Sequence, residues 1–250
     1  MDLRLTGKVA LVTGGANGVG RAICLALSTE GTAVAVNYRS SAEQAQAVVA
    51  EIAGNGGKAI AIGADVSQLD QVKAMVARVV AEFGRLDILV NNAGVAQRQR
   101  FAQTMPEDWR RQIDTCLYGT IHCCHEASMH LEKSGAGRIV SLIGDSSRVG
   151  ESGLSIVAAA RAGVIGLTKS LAREMGRFGV TANVVSLGLV ETAHDRDWVE
   201  ANRDKLVQLY PLRRLGQPED VAPLVALLAS EHGGWITGQV ISVSGGYSMV

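Results

Sequence analysis

Lys8-Val9-Ala10-Leu11-Val12-Thr13 runs straight into Gly14-Gly15-Ala16-Asn17-Gly18-Val19-Gly20, and this junction sets the architecture of the chain. Val9–Val12 within it is a continuous apolar run bounded by Lys8 and Thr13, as in a buried strand. The helical pattern Val19–Glu30 begins inside the glycine cluster. Glycine is needed where the chain turns tightly and where backbone must come close to a pyrophosphate. A helix start adds unpaired N–H groups and partial positive charge. Alone, such a turn is also an ordinary connection; between a strand and a helix it predicts a dinucleotide phosphate loop.

Outward from that junction the same alternation repeats. Ala33–Asn37, Lys58–Gly63, Leu86–Asn91, Arg138–Leu142, Thr181–Ser186 and Gln239–Val243 read as further buried strands. Ala42–Ala53, Leu69–Phe83, Pro106–Leu131, Ser155–Phe178 and Pro218–Ala229 read as the helices between them. Gly54-Asn55-Gly56-Gly57 is a helix stop. The pattern predicts an α/β fold: one Rossmann-type, doubly wound domain over 1–250, with a seven-stranded parallel sheet and helices on both faces. Ligands then bind beyond the carboxyl ends of the strands, at the point where strand order reverses. Residues 191–215, rich in charge and aromatics, read as a flap over the substrate side.

Composition narrows the function classes. The 250 residues are 47% hydrophobic and 19% charged, enough apolar material for a large core. Lys+Arg and Asp+Glu are 24 each, so charge gives no reason to expect nucleic acid or a membrane as partner. No secretory signal is visible at the start, and the cysteines are too few for a disulfide framework. A cytoplasmic location is expected.

The end of the second strand selects among dinucleotides. An acidic residue there serves the adenosine ribose of NAD. Here Asn37-Tyr38-Arg39-Ser40 offers a guanidinium and a hydroxyl instead, which suit the extra 2′-phosphate of NADP. NADP is therefore the expected cofactor, with NAD as the alternative.

Several motifs in order then resemble the short-chain dehydrogenase/reductases over essentially the whole chain. They are Thr13–Gly20, Asp65-Val66, Asn91-Asn92-Ala93-Gly94, Arg213–Asp220 and Ile236-Thr237-Gly238-Gln239 with Ser244-Gly245-Gly246. Within the family the chain is most similar to ketoacyl reductases. Gly144-Asp145-Ser146-Ser147-Arg148-Val149-Gly150 also resembles hydroxyacyl-CoA dehydrogenases acting on alicyclic rings. The resemblance implies cofactor contacts at Gly14, Asn17, Gly18, Val19, Gly20, Tyr38, Arg39, Ser40, Asp65, Val66, Asn92, Ala93, Gly94, Arg161, Gly188, Val190 and Thr192. It implies a small carbonyl or acyl-CoA-like ligand beside the nicotinamide. It also implies a homotetramer built on Pro106–Leu131, Ser155–Phe178 and Ile236–Val250.

The family works through an Asn, Ser, Tyr and Lys tetrad. Aligned from Gly137-Arg138-Ile139-Val140 and Ala162–Ala172 without a gap, those positions read Cys116, Gly144, Val157 and Arg161. Valine has no proton to give, glycine no hydroxyl, and a guanidinium stays protonated. The family's Pro-Gly after the sixth strand reads Leu187-Gly188. Asp145, with Ser146 beside it, and His194 are the candidate replacement groups. His122-Cys123-Cys124-His125 reads as packed helix rather than as a metal site, and no metal is expected. Three outcomes stay open: a nucleotide-binding pseudoenzyme or silent partner subunit, an active ketone or alcohol oxidoreductase with a relocated acid, and a lyase or isomerase.

Overall fold

The computed structural model describes residues 2–192 and 196–250. Seven strands form one parallel sheet: β1 Val9–Val12, β2 Ala33–Tyr38, β3 Ala59–Gly63, β4 Ile88–Asn91, β5 Arg138–Gly144, β6 Thr181–Leu187 and β7 Val240–Val243. Their order is β3-β2-β1-β4-β5-β6-β7, so the sequence reverses direction across the sheet between β1 and β4. Val9 pairs with Ala33 on one side, and Ala10 pairs with Ile88 on the other. Parallel strands need helical crossovers and are buried on both faces, which explains why β1 and β4 contain no exposed residue.

The crossovers are α1 Gly18–Thr29, α2 Ala42–Gly54, α3 Leu69–Phe83, α4 Pro106–Ile113, α5 Gly119–Ser134, the single turn α6 Ser146–Val149, α7 Ser155–Met175, α8 Arg196–Gln208 and α9 Pro218–Ala229. On one face, α1 and α9 bury Ile23, Leu27, Val221, Val225 and Leu228 over the sheet. On the other, α3, α5 and α7 contribute Val72, Met75, Leu131 and Met175. Burying each such aliphatic side chain contributes about 1.5–3 kcal/mol, so the two cores dominate stability.

Two elements differ from the sequence expectation. The helix expected over Pro106–Leu131 is interrupted by a π turn at Asp114–Tyr118, between α4 and α5. Gly119 follows at once, and a Cβ there would lie 2.7 Å from Val66 Cγ2, so the helix can approach the end of β3 only without a side chain. The stretch expected as a flap contains the three-turn helix α8, whose Val199 packs with Tyr210 and Leu215.

Asp87, just before β4, ties three elements together. Its carboxylate accepts from the Val9 amide at 3.0 Å, from Ser134 Oγ at 2.6 Å and from Arg85 at 2.6 and 2.7 Å. Burial pushes this carboxyl's pKa up, but the hydrogen bonds from Arg85, Ser134 and Val9 and the Arg85 charge outweigh it and leave it below its usual value.

Candidate functional site

The glycine turn sits at the C-terminal end of β1, at the reversal point. Gly14 and Gly18 have φ of 62° and 51°, the left-handed region that other residues rarely adopt. Gly20 lies so close beneath the turn that a Cβ would overlap the Gly14 carbonyl oxygen. The Asn17 side chain does not cap α1, and no acidic residue occupies its first turn, so the N–H groups and positive end of the helix stay free for an anion.

Three side chains hold this loop from below. Asn37 Oδ1 accepts from the Gly14 amide at 3.2 Å, while its Nδ2 donates to the Ile62 and Ala64 carbonyls at 3.2 and 3.0 Å. Asn92 Nδ2 donates to the Thr13 and Gly14 carbonyls at 2.9 and 3.0 Å. Thr13 Oγ1 receives the Asn92 and Ala93 amides at 2.9 and 3.0 Å. The asparagine that stands near the place of an acidic ribose contact is therefore spent on the loop itself.

The other cofactor positions gather along the same edge. Tyr38, Arg39 and Ser40 leave the end of β2, with Arg39 and Ser40 exposed, and none of the ion pairs among the described residues involves Arg39. Asp65 follows β3, but its carboxylate turns back to its own loop, accepting from the Ser67 amide and hydroxyl at 3.0 and 2.8 Å. Val66 is buried against α5. Gly188, Val190 and Thr192 follow β6, and Thr192 Cγ2 comes within 3.0 Å of the Cβ position of Gly18, over the glycine turn. The Leu189 amide donates to Tyr210 Oη at 2.8 Å, and Tyr210 stacks on Tyr247 at 5.3 Å, an anchor for the segment after β6 that the sequence did not signal.

The four residues expected at the family's tetrad positions also meet. Val157 is fully buried and clusters with Cys116 and Ala160, packed by Ile113, Leu117 and Leu154. Cys116, inside the π turn, bridges the Val95 backbone, its Sγ accepting from the amide at 3.4 Å and donating to the carbonyl at 3.3 Å. Arg161, one turn after Val157 on α7, reaches across the cleft. Its Nη2 lies 2.8 Å from the Cβ position of Gly94 and its Nη1 3.3 Å from that of Gly144. The position expected for the family's phenol thus holds packed apolar volume, and the one expected for its ammonium holds a guanidinium wedged between two glycines.

Of the two replacement acids, Asp145 is 1% exposed and faces the sheet. Its Oδ1 accepts from Ser186 Oγ on β6 and from Ser242 Oγ on β7, the latter at 3.0 Å. Arg148 Nη1 donates to the same Ser242 hydroxyl at 2.6 Å. This network belongs to β6 and β7, not to the cleft beside Arg161. His194 lies outside the described residues. In the His-Cys-Cys-His run, His122 Nδ1 is 3.0 Å from the Val66 carbonyl and His125 Nδ1 is 3.0 Å from Glu126. Cys123 and Cys124 are buried, burial pushing the Cys124 thiol up to about 12.

Comparison with known proteins agrees with this geometry. The model of the family described as Enoyl-(Acyl carrier protein) reductase matches residues 14–248. The chain is 42% identical over 242 residues to the 3-oxoacyl-[acyl-carrier-protein] reductase FabG of Staphylococcus aureus, covering 97% of this chain and 98% of that one. It is 41% identical over 247 residues to the 3-oxoacyl-[acyl-carrier-protein] reductase of Synechocystis, covering 98% of each. Among solved structures, a short chain dehydrogenase from Burkholderia cenocepacia in complex with NADP superposes with TM-score 0.92 at 39% identity, covering 98% of this chain and 99% of that one. A Serratia marcescens short-chain dehydrogenase/reductase mutant gives 0.93 at 38%, with the same coverage. The fold and its nucleotide-type edge define a Rossmann-class oxidoreductase scaffold. The chain belongs to the short-chain dehydrogenase/reductase family.

Proposed function

We propose that this protein binds NADP(H) and holds it without the family's usual proton relay, acting as a nucleotide-binding pseudoenzyme or as the silent partner of an active paralogue. The observation that carries this reading is Val157, fully buried in an apolar cluster where the family places its tyrosine. A bound nicotinamide ring would supply or accept hydride. Of the residues clustered with Val157, Cys116 alone carries an exchangeable side-chain proton, and its thiol is turned to the Val95 carbonyl. The positive end of α1, the close-set glycines Gly14 and Gly20, and Arg39, which none of the ion pairs among the described residues engages, fit the dinucleotide. The NADP complex of the Burkholderia cenocepacia relative supports the same choice.

A second reading, an active reductase of 3-oxoacyl thioesters with a relocated acid, draws on the names of the relatives and on Ser146. Ser146 Oγ lies 3.3 Å from the Cβ position of Gly144, so a hydroxyl still stands near the place of the family's serine. That restores a hydrogen-bond donor but not an acid. No residue observation favours a lyase or isomerase.

Fluorescence titration tests the cofactor assignment. A hydrogen bond to a charged group contributes about 1.5–3 kcal/mol, or roughly ten- to a hundredfold in affinity. NADPH should bind more tightly than NADH by that margin, and Arg39→Ala should erase most of the difference. Equal affinities in the unmodified protein would refute the role of Arg39.

The reading includes one domain over residues 1–250, with 191–215 closing over the substrate side, and a homotetramer in the cytoplasm. The four cysteines are free thiols, which fits a reducing compartment. Tyr118 and Met129 are exposed along the π turn and α5, and Ile165, Leu167 and Leu171 are only half-buried on α7. Trp235, ahead of β7, is 99% exposed. Such apolar faces need a partner. Light scattering at micromolar concentration should give the mass of four chains; a monomer would contradict the assembly.

A further inference from the structure

Residues 188–192 leave β6 on the opposite side of the reversal point from β2 and Arg39. A dinucleotide lying across the reversal, with its adenosine end at Arg39, brings its nicotinamide end to this segment. Backbone hydrogen bonds pin the segment from one side. The Gly188 amide donates to the Val243 carbonyl at 3.2 Å, the Gly216 amide to the Leu189 carbonyl at 3.0 Å, and the Glu191 amide to the Gly216 carbonyl at 2.9 Å. Val190 thereby forms a parallel bridge with Gly216, which turns its own N–H and C=O to the other side. The Leu189 amide is held differently, by a side chain: it donates to Tyr210 Oη at 2.8 Å.

Tyr210 is itself firmly seated. It is 5% exposed, and its ring lies so near Gly188 that a Cβ there would sit 2.9 Å from Cε1. The ring stacks on Tyr247, with centroids 5.3 Å apart. Its own amide donates to the Val207 carbonyl at 3.2 Å, and its carbonyl accepts from the Arg213 amide at 2.9 Å. The segment it holds is less well backed. A cavity of about 390 Å³ adjoins it, lined by Leu189, Val190, Leu212, Val221 and Ser244 together with Tyr210. Loss of the hydroxyl would leave the Leu189 amide without its partner and give the segment room to shift. We propose that Tyr210 is a positioning residue for the nicotinamide half of the dinucleotide, its hydroxyl fixing the Leu189 amide and so the place of the Val190 backbone, within the cofactor reading above, on which this inference rests. The adenosine half, served by the glycine turn and Arg39, does not depend on it.

Two ligands separate the halves. NADPH carries both, and adenosine 2′,5′-bisphosphate carries only the adenosine end. Each is titrated into the unmodified protein and into Tyr210→Phe, NADPH by fluorescence and the bisphosphate by calorimetry. Tyr210→Phe keeps the ring and its stack, and circular dichroism checks its fold. It should weaken NADPH by about five- to tenfold and leave the bisphosphate within about twofold. Emission of the bound NADPH should also move toward that of the free cofactor. Tyr247→Leu, which loosens the ring but keeps the hydroxyl, should show the same split to a smaller degree, and it stands in should Tyr210→Phe not fold. NADPH affinity unchanged in these variants, or equal losses for both ligands, would overturn the proposal and leave the cofactor reading intact. Unmodified protein that binds no NADPH would overturn the cofactor reading and this role of Tyr210 with it.

Discussion

Tyrosine placed alone at position 157 is expected to leave ketone reduction at background, whereas the joint variant Val157→Tyr, Arg161→Lys, Gly144→Ser, Cys116→Asn should raise it by at least ~10². Val157 is sealed among Ile113, Leu117, Leu154, Cys116 and Ala160, so a lone ring must force its way in at a cost of about 1–3 kcal/mol. Arg161 stands in the way as well. A serine at 144 would put its Cβ 3.3 Å from Nη1, a tight contact that forces the guanidinium to shift. Arg161→Lys removes that fork and supplies the ammonium that lowers a phenol's pKa from its ordinary value near ~10. Val157→Tyr with Arg161→Lys is therefore the smallest pair expected to act. Turnover is measured with NADPH and a ketone panel after circular dichroism confirms folding. Equal rates for the single and the joint variants, or a folded NADPH-binding joint variant that reduces nothing, would show that more than the tetrad separates this chain from its relatives.

Asp87→Asn is expected to destabilise the fold by about 2–3 kcal/mol at pH 7, measured by urea unfolding. The carboxylate is fully buried and serves β1 through Val9, α5 through Ser134, and Arg85. An amide cannot accept all of these bonds and leaves Arg85 without its counter-charge. Because this carboxyl's pKa is held below its usual value, its contribution is complete above the unfolded value near ~3.9 and is lost as pH falls through the lower folded value. The gap between unmodified protein and Asp87→Asn should thus hold from pH 7 to about 4 and narrow below it. A gap that stays constant down to about pH 2.5 would show that the stabilisation is steric rather than electrostatic.

The sheet was legible because its strands are nearly continuous apolar runs and its turns are glycines at positive φ. The ends of β1 through β7 fall within a residue or two of what periodicity gives. Helix α8 was not legible, since Arg196–Gln208 is mostly polar and only Val199, Leu206 and Val207 touch its small cluster. Nor was the π turn at Asp114–Tyr118, because one widened turn barely shifts an apolar stripe. In the site, the motif register led to Cys116, Gly144, Val157 and Arg161, and the packing of Val157 with Cys116 follows from their apolar character. The wedge of Arg161 between Gly94 and Gly144 could not be read, because those residues lie on three different elements far apart in the chain. Nor was the role of Asn37 legible: four backbone groups, of Gly14, Tyr38, Ile62 and Ala64, share its amide, and they come from separate stretches of the chain.

The central claim, that the dinucleotide site persists while the relay is gone, is tested most directly by one paired measurement on the unmodified protein. NADPH binding is followed by fluorescence, and NADPH oxidation is followed in the same sample on addition of 3-oxoacyl thioesters and cyclic ketones. The account predicts saturable binding with no oxidation above the protein-free rate. Steady oxidation of NADPH with any of these ketones, lost on Asp145→Asn or His194→Gln, would contradict it and establish a relocated acid.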